Sequence, residues 1–263
     1  MIKNNDMYRD LKSEAVVGRF VKVYRDDSSL FAATTRRETD MPENAYAGFS
    51  LCHYTGDSPE HFKACRNELA DYLGIDSRKI IIPRQTHGTK VAVIDRLQFD
   101  SEELQGVDAL VTNLSDVAIG INTADCVPIL IADTGNNLIA AVHAGWRGVV
   151  GGIIETTISE MARLGGEPSK MEAWIAPCIH RECFEVGEEV ACSFPESCVD
   201  RNYAGNPHVD LPKAVRLQLE QAGLNRINED PDCTRCHPDR YFSARAHTVN
   251  SGRNFTFILR KES

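Results

Sequence analysis

Six short apolar segments follow one another at residues 79–83, 91–95, 109–111, 117–121, 127–132 and 138–143. Each is bounded by polar or turn-forming residues, so each reads as a strand, and a block of this kind has to close into sheet. The chain on either side of the block mixes both periods. Residues 18–24 and 30–34 read as an N-terminal pair of strands. Residues 59–73 read as a helix that stops at Gly74, as helices commonly do. After His143 the period changes: Val149, Ile153, Ile154, Thr157, Ile158 and Met161 recur at helical spacing until Gly165-Gly166. A strand is expected at 171–175, a helix at 182–194, and a helix at 211–222 capped by Asp210 with Pro212 in its first turn. Residues 255–259 read as a terminal strand. The pattern predicts one α/β domain over residues 1–263 with a mixed sheet, and residues 1–17 as a loose N-terminal segment.

The 263 residues, 42% hydrophobic and 25% charged, supply enough apolar material for a core of that size. A net charge of -9 argues against nucleic acid or an anionic membrane as partner, though a local arginine cluster can still receive a small anion. The first residues, Met1-Ile2-Lys3-Asn4-Asn5-Asp6, contain no apolar core of a signal peptide. No apolar run approaches the ~20 residues that span a bilayer. Nine cysteines cannot all pair, which favours a reduced, cytoplasmic chain over a disulfide framework. Either a monomer or a homodimer is compatible with the sequence.

Three residues stand where apolar runs give way to polar turns. They are His87 in Gln85-Thr86-His87-Gly88, Cys126 in Thr123-Ala124-Asp125-Cys126, and His143 in His143-Ala144-Gly145-Trp146-Arg147-Gly148. Two imidazoles and one thiolate suit a catalytic zinc ion whose fourth position stays open. Gly145 and Gly148 bracket Arg147 where a strand turns into a helix, which is a natural place for an anion. Asp125 is either a partner orienting a histidine or a turn residue satisfying backbone amides. Gln85 can donate or accept near a ligand, and Gly88 lets the backbone turn close to it. Taken singly, His143 reads equally well as a satisfied core histidine and Cys126 as a buried structural thiol.

Other arrangements compete. Cys126 as nucleophile, His143 as base and Asp125 or Asn122 as orienter would make a cysteine hydrolase. The second histidine, His87, favours metal, since a Cys-His pair needs no third ligand. Two histidines and a cysteine are also the core of a blue-copper site. Such sites add a weak axial methionine, and none of Met1, Met7, Met41, Met161 and Met171 adjoins a proposed ligand, so zinc is favoured. Cys233-Thr234-Arg235-Cys236-His237 has the spacing of c-type haem attachment, but haem attachment goes with an exported chain. A structural zinc on Cys233 and Cys236 would need two further ligands, and Cys178, Cys183, Cys192 and Cys198 follow no recognised ligand spacing. These thiols read as buried or incidental.

Taken together, Gln85-Thr86-His87-Gly88, Val107-Asp108-Ala109-Leu110-Val111-Thr112, Thr123-Ala124-Asp125-Cys126-Val127-Pro128 and His143-Ala144-Gly145-Trp146-Arg147-Gly148 resemble the laccase-domain family. Similarity runs on through Trp174-Ile175-Ala176-Pro177-Cys178, Phe184-Glu185-Val186-Gly187, Cys233-Thr234 and Tyr241-Phe242-Ser243. That family, once labelled polyphenol oxidase, is associated with zinc-dependent purine nucleoside phosphorylase activity. The resemblance implies an α/β fold of mixed sheets layered with helices, shared with cysteine-hydrolase-like toxin domains, and His87, Cys126 and His143 as metal ligands. It implies phosphorolysis of adenosine, inosine and methylthioadenosine, and deamination of adenosine. Cys126, His143 and Asp125 would be catalytic; Arg147, Arg245 and Gln85 would contact the nucleoside and phosphate. Some bacterial members are linked instead to editing of peptidoglycan precursors. One stretch departs from the family pattern: Phe242-Ser243-Ala244-Arg245-Ala246-His247 lacks the usual tyrosine, second arginine and aspartate. His247 there reads as an exposed loop residue, with an added polar contact as the alternative.

Overall fold

The computed structural model describes residues 20–39, 41, 43–98 and 102–262. The strand expected from residue 18 is β1, Val21–Asp26, whose first two expected residues lie outside the described ones, as does the segment 1–17. It is followed by β2 (Leu30–Thr35), helix α1 (Pro59–Leu73), and strands β3 (Ile80–Ile81), β4 (Lys90–Ile94), β5 (Val107–Thr112), β6 (Ala118–Thr123), β7 (Val127–Asp133) and β8 (Leu138–Ala144). Then come α2 (Trp146–Gly151), α3 (Ile153–Arg163), β9 (Glu172–Ile175), α4 (Glu188–Ala191), β10 (Val199–Asp200), β11 (His208–Val209), α5 (Leu211–Gln221), β12 (Arg226–Glu229) and β13 (Asn254–Arg260).

Two mixed sheets form the centre, one ordered β1-β2-β13-β6-β3 and the other β12-β9-β7-β8-β5-β4. Side chains alternate across each strand, so every central strand feeds two cores. Leu110, Leu130, Ala141 and Trp174 of the second sheet meet Ala32, Ile119, Ile121 and Ile258 of the first. The opposite face of the second sheet, with Val111, Ile129, Ile131 and Val142, packs on Ile153, Ile154, Ile158 and Met161 of α3 and Val215 and Leu219 of α5. The outer face of the first sheet, with Phe31, Ala33, Phe255 and Phe257, packs on Cys65 and Leu69 of α1. The order of layers is therefore helix, sheet, sheet, helix. This burial on both faces explains why β5 to β8 read as continuous apolar runs. Gly120 in β6 is required by the packing: a Cβ there would lie 2.4 Å from the Phe255 ring.

Local signals set the helix ends. Ser58 accepts from the His61 N–H ahead of Pro59, and Gly74 closes α1 in the left-handed region. Asp210 caps α5 by accepting from the Lys213 N–H at 3.1 Å. Three expectations are corrected. The helical run through Val149 and Met161 is two helices, because Gly152 at φ +87 ends α2 and starts α3. The helix expected at 182–194 is a single 3-10 turn, Arg181–Cys183, and the short α4. Between them the chain is extended: the Val186 N–H donates to Pro207 O at 3.0 Å and the Val209 N–H to Phe184 O at 3.1 Å. Those partners lie in the 199–209 segment, so a tertiary contact overrides the local apolar pattern. The strand expected at 79–83 shortens to Ile80–Ile81 after a 3-10 turn.

Candidate metal centre

The register of the second sheet builds the site. Pro128 pairs with His143 and Val127 with Ala144 in the antiparallel β7·β8 ladder. One further step sets Cys126, in the β6–β7 turn, beside Gly145. On the other side of β8, Ala109 pairs with Val142, so Asp108 at the start of β5 comes level with His143. His87 arrives from the loop after β3 with a left-handed backbone, φ +63. The donor atoms of His87, Cys126 and His143 lie within 4.8 Å of one another. The two imidazole rings are 4.8 Å apart between centroids and inclined at 75°.

Gly145 makes the approach possible. A Cβ at this position would lie 2.9 Å from His87 Cδ2 and 3.2 Å from Cys126 Sγ. The glycine is needed for the space it leaves, since its own φ is an ordinary -70.

The residue that sequence reasoning missed is Asp108. It is fully buried and its Oδ1 accepts from His143 Nδ1 at 2.7 Å. The same carboxylate accepts from the backbone N–H groups of His87 at 3.0 Å and Gly88 at 2.7 Å. One side chain thus fixes the tautomer of His143, leaving Nε2 for a ligand, and holds the loop that carries His87. Val107-Asp108-Ala109 was visible only as a family motif; no spacing joins it to His143. Of the two readings of Asp125, orienting partner or turn residue, the contact that orients His143 belongs to Asp108. Asp125 instead accepts from Thr234 Oγ1 at 2.8 Å and from the Arg245 N–H at 2.8 Å, with φ +92 in the turn just before Cys126.

The electrostatics favour a thiolate. Burial alone would raise the Cys126 thiol, but the His143 and His87 imidazoles that face it bring it down to about 6. Burial would likewise lower His143, yet Cys126 and Asp108 raise it to about 9. Without a cation between them, the pair is an imidazolium and a thiolate. Two nitrogens and a sulfur of this kind are a fitting donor set for a borderline-soft divalent ion.

A cavity of about 330 Å³ is lined by Trp146, Phe184, Val186, Val190, Asn206 and Arg245. That is at the lower end for a small-molecule site. Trp146 follows Gly145 in sequence, and the Arg245 N–H donates to Asp125, so two residues of the cavity wall connect to the turns that carry the donors; the donors themselves are not among its lining residues. The Arg245 guanidinium lies 5.4 Å from the Phe184 ring centre and donates to Glu185 O at 2.9 Å. Arg147 is exposed and its guanidinium rests 4.3 Å from the Trp146 ring centre.

Gln85 is part of the frame: its amide nitrogen donates to Asn122 O at 2.8 Å and its oxygen accepts from the Asn122 N–H at 2.8 Å. His247 is half-buried and its Nε2 faces the buried Arg37 guanidinium at 2.7 Å, so it is a pinned contact and not an exposed loop residue. A larger cavity, about 690 Å³, lies against Arg37, Phe49 and His61, away from the three donors.

A helix–sheet–sheet–helix scaffold that gathers a thiolate and two imidazoles, one backed by a carboxylate, at the ends of its central strands defines an α/β protein with a candidate three-donor metal site. The chain belongs to the family described as multi-copper polyphenol oxidoreductase laccase, whose model matches residues 31–261. It is 44% identical over 244 residues to "Adenosine deaminase RL5" from an unknown prokaryotic organism, covering 87% of this chain and 93% of that one. It is 34% identical over 248 residues to a purine nucleoside phosphorylase of Bacteroides thetaiotaomicron, covering 88% and 92%. Among solved structures it is similar to hypothetical protein YfiH of Bacillus licheniformis, with TM-score 0.83, 25% identity and coverage of 91% and 99%. Neisseria meningitidis protein NMB0706 matches at TM-score 0.79 and 28% identity, covering 92% and 99%. No helix among the described residues is long and apolar enough to cross a membrane.

Proposed function

We propose that the protein is a zinc-dependent enzyme of purine nucleosides, cleaving adenosine, inosine or methylthioadenosine with phosphate and deaminating adenosine. The observation that carries this is the convergence of His87, Cys126 and His143, whose turns connect to a cavity with an aromatic wall and an arginine. Relatives bearing both activity names, similar over most of the chain, support it. His87, Cys126 and His143 would hold the ion. Zinc bound there supplies Lewis-acid charge and an acidified nucleophile near neutral pH.

The chain's own residues divide the remaining work. Trp146 and Phe184 offer π-faces to a purine, and Arg245 and Arg147 offer charge-assisted donors to phosphate. Asp125, tied to Thr234 and to the backbone of Arg245, holds the Cys126 turn against the loop that carries Arg245. Asp108 keeps the His143 proton on Nδ1, so the other nitrogen remains a donor.

Zinc is favoured over copper by the donors themselves. Among the described residues the clusters able to hold a metal contain no more than two histidines, and a multi-copper centre needs many more. One observation favours a second reading. The Cys126–His143 pair, with its thiol near 6, resembles an activated nucleophile and would serve a hydrolase acting on peptidoglycan precursors.

The test is a product assay on inosine and adenosine, with and without phosphate, using chelated and zinc-reloaded protein. The proposal expects inosine cleavage only when phosphate and zinc are both present, and adenosine deamination only with zinc. Turnover that is indifferent to chelation would overturn it in favour of the thiol hydrolase.

A further inference from the structure

A second cluster of soft donors lies outside this centre. Cys183, Cys233 and Cys236 bring their sulfurs within 4.8 Å of one another. Cys183 ends the 3-10 turn Arg181–Cys183, and Cys233-Thr234-Arg235-Cys236 is itself a turn. All three are reduced, with Cys183 Sγ and Cys236 Sγ 3.4 Å apart.

We propose that these three thiolates bind a structural zinc ion. Four bonds of ~2.3 Å in a tetrahedron place the sulfurs about 3.8 Å apart. The observed spacing, 3.4 Å for Cys183 and Cys236 and within 4.8 Å for all three pairs, is compatible with that value. A disulfide would use two of the sulfurs and leave the third without a role. Two cysteines separated by two residues in one turn, joined by a third from another loop, are half-site geometry for structural zinc.

Two donors face these sulfurs, while the Cys183 thiol beside Cys236 raises the Cys236 thiol in the metal-free protein. The His180 N–H donates to Cys233 Sγ at 3.5 Å, and Arg235 Nη1 donates to Cys183 Sγ at 3.8 Å. His180 Nε2 is buried with no hydrogen-bond partner, which leaves an imidazole donor uncommitted three residues before Cys183. Binding would release the thiol protons to solvent.

The position gives the ion a job. Thr234, inside the cysteine turn, donates to Asp125, the residue before Cys126. Cys183 directly precedes Phe184, which lines the cavity together with Trp146. Zinc at the cysteine cluster would therefore pin the Asp125 turn and the Phe184 wall to one point.

Metal analysis of protein purified under reducing conditions tests this. Wild type is expected to carry two zinc equivalents, Cys236→Ser one, and Cys126→Ala one. Cobalt titration of the wild type needs no variant: the thiolate charge-transfer band of the cysteine cluster should be about three times that of the one-sulfur centre. A wild type with one equivalent, lost entirely in Cys126→Ala, would overturn the proposal. A Cys183–Cys236 disulfide in the freshly purified reduced protein, found by mass spectrometry, would do the same.

Discussion

The two sulfur-containing clusters are built from different materials. His143 stands in β8, a fully buried strand, and Cys126 and His87 sit on turns clamped to it by β7 and by Asp108. Cys183, Cys233 and Cys236 all come from turns, Cys233 buried and Cys236 exposed, and a backbone N–H and an arginine donate to two of the sulfurs. The first cluster has mixed nitrogen and sulfur donors, a buried carboxylate behind one of them, and a cavity whose wall connects to its turns. The second has sulfur alone and no carboxylate on a donor. Chemistry needs donors held in a set geometry next to a space for substrate. A cross-link needs only enough thiolates in one place.

Removing Cys126 should separate the two clusters most sharply. Cys126→Ala is expected to lower nucleoside turnover by about a thousandfold or more, as loss of a catalytic group does. It should remove one zinc equivalent while leaving the thermal midpoint within a few degrees. A variant that keeps turnover would break the distinction.

Asp108→Asn comes next. Loss of a carboxylate behind a metal-binding histidine typically costs 10–100-fold in metal affinity. The amide would also face the Gly88 and His87 N–H groups, so some stability should go with it, about 1–3 kcal/mol. Chelator competition and thermal melts read the two effects. Unchanged zinc affinity would show that the carboxylate does not position His143.

Gly145→Ala sharpens the geometric side. The new methyl would stand 2.9 Å from the His87 ring and 3.2 Å from Cys126 Sγ. An overpacking cost of about 1–3 kcal/mol is expected, with zinc affinity reduced at the first centre and unaltered at the cysteine cluster. Equal loss at both would mean the clusters are not independent.

The smallest effect is one of reactivity. In chelated protein the Cys126 thiol, lowered to about 6, is thiolate above that pH and protonates as pH falls through it. Its alkylation rate should therefore rise with a midpoint near 6 and plateau by neutral pH. Peptide mapping against Cys192, which is raised above the usual thiol range by the Glu188 carboxylate, supplies the internal standard. A Cys126 midpoint in the ordinary thiol range would contradict the imidazolium–thiolate pair.

Much of this was legible in the chain. The strands β5 to β8 announce themselves because both faces of each are buried, and the ends of α1 and α5 are marked by Ser58, Gly74 and Asp210. His87, Cys126 and His143 could be singled out because each closes an apolar run at a turn. Asp108 could not, since its role depends on β5 lying next to β8, and strand order is not written in local pattern. Nor could the meeting of Cys183 with Cys233 and Cys236 across some 50 residues. The same 199–209 contacts that hold residues 184–186 extended defeated the expected helix at 182–194. His247 was misjudged for a related reason: its hydrogen-bond partner, Arg37, is remote in sequence.

The central claim is that two imidazoles and one thiolate share an ion. Zinc-edge X-ray absorption on the Cys236→Ser protein, with the cysteine cluster disabled, addresses it alone. The account predicts one sulfur at ~2.3 Å and two imidazole nitrogens at ~2.0–2.1 Å, completed by a light atom. A sulfur-only shell, or a protein that retains no zinc, would contradict it.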